Sequence, residues 1–186
     1  MSRLDEAFAA VPRAGFLPPD VRRHAASDRP LPIGYGATNS QPWTVRSMLA
    51  LLDARPGDRV LDVGSGSGWT TGLLAHLVGP DGEVVGVEIV PELVAMGRRN
   101  LGERWPWARI EQALPGVLGL PDAGPFDRIL VSADGGRIPP ELEAQLAPGG
   151  RLVLPASGLM TVVDRAESGA LTRSTTGDRF VFVPLV

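Results

Sequence analysis

Apolar and polar positions change rhythm several times along this chain of 186 residues. Near the start, Leu4, Phe8 and Ala9 recur at helical spacing, which predicts a short helix over residues 3–10. Prolines at 12, 18, 19, 30 and 32 then make the stretch from Pro12 to Pro32 irregular. A second helix is predicted over Gln41 to Leu52. Pro42 suits its first turn, and Val45, Met48, Leu49 and Leu52 share one face. From Arg59 onward the chain alternates. Apolar runs at Arg59–Val63, Glu83–Glu88, Arg109–Gln112, Phe126–Ser132 and Arg151–Pro155 read as buried strands. Helical patterns at Trp69–Leu77, Pro91–Gly102 and Pro139–Leu146 lie between them. Strands separated by helices predict an α/β fold with a mainly parallel sheet covered on both faces. After Ser157 the helices stop. Thr161–Arg165 and Arg179–Val183 then predict two strands forming an antiparallel edge, seven in all.

Length and composition narrow the function. No internal repeat or linker divides the chain, so one domain is expected. It would comprise an N-terminal segment over 1–53, a core over 54–157 and C-terminal strands over 158–186. There is no cysteine, which excludes disulfides, thiolate metal sites and cysteine nucleophiles. All 18 basic residues are arginine, so no lysine is present for a Schiff base or a phosphate loop. Only His24 and His76 are available as imidazole ligands, and no metal site is expected. The net charge of −3 lacks the basic surplus that grips nucleic acid or an anionic membrane. The expectation is a cytoplasmic monomer without nucleic-acid or membrane partners.

The strongest motif is Val60-Leu61-Asp62-Val63-Gly64-Ser65-Gly66-Ser67-Gly68, set where a strand passes into a helix. Glycines there permit a tight turn and close approach of a ligand, and the helix N-terminus presents free N–H groups. Glu88 ends the next strand, where a carboxylate can accept both hydroxyls of a ribose. Read as structure alone, the loop is a βα turn, Asp62 a cap and Glu88 a strand-end acid. The spacing is GxGxG, not GxGxxG, and an acid precedes it, which disfavours a dinucleotide. Together these features resemble the cofactor loop of class I S-adenosylmethionine (SAM) methyltransferases. That resemblance implies a Rossmann-like fold and SAM as cofactor. The implied cofactor residues are Ala37, Asp62, Gly64, Ser65, Gly66, Ser67, Gly68, Glu88 and Ile89.

The acceptor is narrowed by what is missing. The region after the fourth strand reads Val131-Ser132-Ala133-Asp134-Gly135-Gly136, without the Asn/Asp-Pro-Pro-aromatic motif of base amino-methylases. Cytosine C5 methylation needs the absent cysteine. A carboxylate acceptor, with a pKa near ~4, is already ionised at neutral pH and needs no general base. Neutral donors suffice to orient it.

Before the first strand the chain reads Val11-Pro12-Arg13-Ala14-Gly15-Phe16, then Asp28-Arg29-Pro30-Leu31-Pro32-Ile33-Gly34, then Thr38-Asn39-Ser40-Gln41-Pro42. Gln145-Leu146-Ala147-Pro148-Gly149-Gly150 and the terminal Phe182-Val183-Pro184-Leu185 follow later. These segments resemble the protein-L-isoaspartate (D-aspartate) O-methyltransferases over nearly the whole chain. The resemblance implies methylation by SAM of the free α-carboxylate of isoaspartyl residues in damaged peptides or proteins. The ester collapses to a succinimide that reopens partly to aspartate. It also implies that Ser40 is the active-site serine, a hydrogen-bond donor to the acceptor, with Thr38 beside it. Taken alone, Ser40 would cap the Gln41 helix.

Four positions depart from the family pattern. Pro115 stands where an acid contacts the adenine end. Asp134-Gly135-Gly136 replaces an alanine-rich loop that shapes the isoaspartyl pocket, and Asp134 reads either as a substrate-facing acid or as a solvated turn residue. Ala26 replaces an aromatic, and Met160-Thr161 stands in place of a glutamine. Two alternatives remain open: methylation of an aspartyl carboxylate in a dedicated peptide, and SAM binding without catalysis.

Overall fold

The computed structural model describes residues 2–185. Helix α1 (Arg3–Ala10) is followed by two short 3-10 turns and a hairpin, β1 (Leu31–Gly34) and β2 (Ala37–Asn39). Then come α2 (Pro42–Leu52), β3 (Arg59–Val63), α3 (Trp69–Val78), β4 (Glu83–Glu88), α4 (Pro91–Leu101), β5 (Ala108–Gln112) and β6 (Phe126–Val131). The chain closes with α5 (Pro140–Ala144), β7 (Leu146–Ala156), β8 (Leu159–Arg165) and β9 (Leu171–Arg179). No helix among the described residues is long and apolar enough to cross a membrane.

The seven strands of the main sheet lie in the order β5-β4-β3-β6-β7-β8-β9. β3 pairs in parallel with both β4 and β6, and β8 and β9 are antiparallel. The order runs outward from β3 in one direction and from β6 in the other. The carboxyl ends of β3 and β6 therefore flank the switch point where α/β sheets bind ligands.

Strand periodicity sorts the core into two layers. Val60, Val84, Leu130 and Val153 enter one cluster with Met48, Leu52, Leu73 and Leu74 of α2 and α3. Leu61, Val63, Val87, Ile129, Val131, Leu152 and Leu154 enter the other. Its cover is Leu142 of α5 and the segment carrying Leu118, Leu120 and Ala123, so the second face has less helix than the first. Every residue of α3 except His76 is buried, because the α1 segment lies over it. A Cβ on Gly72 would come within 3.1–3.2 Å of Phe16 and Val11, so glycine sets how closely that segment approaches.

Three expectations need correction. The last strand is Leu171–Arg179, not Arg179–Val183. An edge strand exposed on both faces requires only main-chain pairing with β8, which the polar run Thr172–Thr176 supplies. The apolar Phe180–Val183 run is free to lie over the site. Second, the helix expected over 139–146 ends at Ala144, because Leu146 already begins β7 and is buried against Phe126. Third, the β1–β2 hairpin lies in a stretch with too many prolines and glycines to read as strand. It turns through Gly34, Tyr35 and Gly36, all at positive φ.

Candidate active site

The carboxyl ends of β3, β4 and β6 open into a cavity of about 300 Å³. The β1–β2 hairpin closes it on one side and Val183, Pro184 and Leu185 on the other. Its floor is the glycine loop. Gly64 and Ser65 N–H both donate to Val87 O, at 2.9 and 3.1 Å, and Gly68 N–H donates to Ser65 O at 2.8 Å. Gly66 and Gly68 lie at φ 53° and 88°, where a side chain is strained. No side chain caps the N-terminus of α3, so its first N–H groups remain available.

Glu88 stands on the cavity wall and is nearly buried. One carboxylate oxygen accepts from Gly66 N–H at 2.9 Å and the other from Val90 N–H at 2.9 Å. Each oxygen keeps a free lone pair, so the group is oriented without being used up. Ile89, Val90, Ala113, Val117 and Leu118 continue the wall as an apolar surface.

Asp62 and Gly68 do not line this cavity, in contrast to the expectation for the loop. Asp62 follows the strand alternation toward α3, where one oxygen accepts from the hydroxyls of Thr70 and Thr71, both at 2.7 Å. Its other oxygen is buried without a partner. Burial pushes its pKa up to about 6, against the two threonine hydrogen bonds, and the nearby Glu88 charge adds to the rise. Between about pH 4 and pH 6 the folded protein holds a proton that the unfolded chain has released. Asp62's contribution to stability therefore falls as pH rises through that window, by about 3 kcal/mol, and is constant above it. Asp62→Asn keeps an acceptor for both threonines and abolishes the titration. The difference in Tm between variant and wild type should shift toward the variant by several degrees from pH 4.5 to 7.5. An unchanged difference would mean that Asp62 does not titrate there.

Ala37, Thr38, Asn39 and Ser40 line the cavity from the hairpin side. Ser40 does not cap α2: the helix begins after Gln41 with no side-chain cap from that residue. The exposed Asp28 takes that role across fifteen positions, accepting from Trp43 N–H at 2.8 Å. Among the described residues the Ser40 hydroxyl has no partner, whereas its carbonyl accepts from Arg13 at 2.9 Å.

Arg13, which is not among the expected site residues, organises this region. It is buried, and its guanidinium donates to Asn39 Oδ1 at 2.7 Å and to the carbonyls of Ala25, Ser27, Arg29, Asn39 and Ser40. Asn39 in turn donates to Ser67 Oγ at 3.1 Å, which couples the hairpin to the glycine loop. Burial lowers the Arg13 pKa to about 10, with Asp28 opposing, so the charge persists at neutral pH. The only sequence signal for Arg13 is its place in the Val-Pro-Arg segment.

Ser132 is likewise not among the expected site residues. It follows β6, its N–H donates to Val63 O at 2.9 Å, and a Cβ on Gly64 would lie 3.9 Å from its Cβ. It therefore sits at the switch point. Thr38, Ser40, Ser132 and Val183 line both the large cavity and an adjoining notch of about 50 Å³. Pro30, Gln41, Thr44, Val181 and Phe182 complete the notch. Among the described residues no charged side chain lines it.

Asp134 is neither a free turn residue nor a substrate-facing acid. It is absent from the lining of both spaces, and its carboxylate accepts from three main-chain N–H groups: Gly136 at 2.7 Å, Ser157 at 3.2 Å and Gly158 at 2.9 Å. Trp69, the first residue of α3, also lines the cavity. Its indole N–H is spent on Val11 O at 3.0 Å and its ring packs against Phe8.

A parallel sheet with a glycine loop at its switch point and an acid ending the neighbouring strand defines a class I SAM-dependent methyltransferase. Among solved structures, a protein-L-isoaspartate O-methyltransferase superposes over the whole chain with a TM-score of 0.85 at 24% identity, and the chain spans 62% of that protein. A candidate enzyme of the same kind from Plasmodium falciparum, in complex with S-adenosyl-L-homocysteine, gives a TM-score of 0.82 at 24% identity. It is matched over the whole chain and 91% of its own. The chain belongs to the protein-L-isoaspartate (D-aspartate) O-methyltransferase family, whose model matches residues 1–186. It is 44% identical to the protein-L-isoaspartate O-methyltransferase of Aeropyrum pernix, over 99% of this chain and 72% of that one. It is 48% identical to that of Anaeromyxobacter dehalogenans, over 90% of this chain and 81% of that one.

Proposed function

We propose that the chain methylates the free α-carboxylate of L-isoaspartyl residues in damaged proteins or peptides, with SAM as donor. Residues 54–157 would hold the cofactor, and 1–53 together with the chain after Gly158 would hold the substrate. The observation that carries this reading is the notch opening from the large cavity, without a charged side chain among the described residues and with the hydroxyl-bearing Thr38, Ser40 and Ser132 lining both spaces.

The donor fits the cavity in three respects. The glycine loop leaves its floor without side-chain bulk, Glu88 keeps lone pairs for ribose hydroxyls, and the apolar wall suits the flat face of a base. When bound, SAM supplies an electrophilic methyl on a positively charged sulfur. The residues of the chain need only orient the acceptor. Ser40 and Thr38 donate to the acceptor carboxylate from the hairpin side, and Ser132 from the sheet side. With SAM bound, the carboxylate oxygen held by these donors would take the methyl and the sulfur would keep the bonding pair, so that both charges would be neutralised. No proton moves, so no general base is required. Phe182 and Val183 line the junction with apolar side chains, and thinning the water there favours a step that destroys charge. Gathering donor and acceptor in one geometry supplies the rest of the acceleration.

The test is transfer of labelled methyl to an isoaspartyl peptide and to its aspartyl twin. Base-labile label on the isoaspartyl peptide alone is the expected result; equal label on both, or none, would overturn the assignment. Glu88→Ala should weaken S-adenosyl-L-homocysteine binding by about 10- to 100-fold in calorimetry, the worth of hydrogen bonds to a charged group. An unchanged Kd would remove Glu88 from the cofactor site.

A further inference from the structure

The Asp134 carboxylate lies outside both spaces of the site, yet it is bonded on both oxygens. Its position in the network is unusual. Residues 180–185, which follow the last strand, form a strap that walls the large cavity with Val183, Pro184 and Leu185 and the notch with Val181, Phe182 and Val183. The strap belongs to no strand of the main sheet. Its main chain is held at two points. Phe180 N–H donates to Gly158 O at 2.9 Å, and residues 183–185 bridge to Asp134, with Asp134 N–H donating to Val183 O at 2.8 Å and Leu185 N–H to Asp134 O at 2.9 Å.

Asp134 governs both points. Its backbone is the second anchor. Its carboxylate grips Gly158 N–H, on the residue whose carbonyl makes the first. The same carboxylate holds Gly136 and Ser157, and the Ser157 hydroxyl closes the ring on Gly136 O. Ser157 and Gly158 lie at φ 52° and 75°, so the turn that presents their N–H groups to the carboxylate is itself strained for a side-chain-bearing residue. Bonds from N–H to a carboxylate are stronger than those to a neutral acceptor, which suits a single group to hold that turn.

We infer that Asp134 is a positioning residue: it clasps the strap over the methyl-transfer junction and thereby sets the affinity for the peptide acceptor. The inference rests on the methyltransferase reading only for its functional consequence. Side chains along the strap add grip of their own, since Phe180 stacks on Trp43 at 5.7 Å and touches Phe182 at 6.4 Å. Cutting the clasp therefore loosens the strap without releasing it.

The experiment compares wild type, Asp134→Asn and Asp134→Ala by amide hydrogen exchange and by steady-state kinetics on the isoaspartyl peptide. The alanine variant should exchange about 10-fold faster or more at the amides of Ser157, Gly158, Phe180 and Leu185, with the central strands unchanged. Its KM for peptide should rise about 10-fold while kcat moves less than about 2-fold, the pattern of lost binding that is uniform along the reaction. The asparagine variant keeps one accepting oxygen for Gly136 and Ser157 but faces Gly158 N–H with a second donor, so it should fall between. Should the alanine variant not fold, the asparagine variant carries the test. Unchanged exchange in the strap would overturn the clasp, and faster exchange with unchanged KM would overturn its role in the acceptor site. If wild type methylates no isoaspartyl peptide, the proposed activity fails, while the exchange measurement still decides whether Asp134 holds the strap.

Discussion

Ser40→Ala should lower kcat/KM on an isoaspartyl peptide by about 10- to 100-fold, with most of the loss in KM. The split follows from the direction of charge flow. The acceptor carboxylate is fully charged on binding and neutral once methylated, so a hydrogen bond to it is strongest in the ground state. Such a bond anchors and orients the acceptor without favouring the transition state. Ser40 suits this role because its hydroxyl is free. Asp28 caps α2 in its place, and Arg13 holds the Ser40 carbonyl. The binding of S-adenosyl-L-homocysteine should stay within about 2-fold, because Glu88 and the glycine loop are unaffected. A fall in kcat at constant KM would instead place the Ser40 bond in the transition state, and wild-type kinetics would remove it from the acceptor site.

Arg13→Met should cost about 3–5 kcal/mol of stability and lower Tm by roughly 6–20 °C. The methionine fills much of the space but offers no donor. Five carbonyls and Asn39 Oδ1 lose this donor at once, and the two bonds to Asn39 are buried. A buried acceptor left unpaired costs more than the bond was worth net. Arg13→Lys should recover less than half of the loss, since one ammonium cannot span acceptors that come from residues 25–29 and from 39–40. Thermal unfolding checks both variants. Activity should fall further than stability, because the same bonds place Ser40 and, through Asn39 and Ser67, the glycine loop. A Tm within about 2 °C of wild type would mean that water replaces the guanidinium and that the loops hold themselves.

Much of this protein is written in local patterns. The alternation of apolar strands and amphipathic helices from Arg59 to Pro155 predicts the central sheet, because burial on two faces demands those periods wherever the strands pair. The loop from Gly64 to Gly68, with Glu88 ending the next strand, marks the cavity, because a tight turn and a strand-end acid are set by a few neighbouring residues. Ser40 and Thr38 are legible as motif members on a hairpin that is itself illegible, since its strands are four and three residues long and proline and glycine interrupt the first strand and the turn.

Other features depend on where distant segments return, and no spacing encodes that. The side on which Asp62 lies follows from strand phase, yet its retreat behind the loop depends on Thr70 and Thr71 reaching it from α3. Asp28 displaces Ser40 as helix cap from fifteen positions away, and Arg13 gathers carbonyls up to twenty-seven positions ahead. Asp134, in sequence a turn residue before two glycines, becomes a clasp because the β7–β8 turn presents two N–H groups beside it. The sequence by itself determined the layers, the glycine loop at the switch point and the motif that carries Ser40. Tertiary structure alone decided which polar groups are spent on the scaffold and which stay free for chemistry. Burial periodicity is a property of neighbours along the chain, whereas the partner of a buried charge is whichever main-chain group the completed fold brings within about 3 Å.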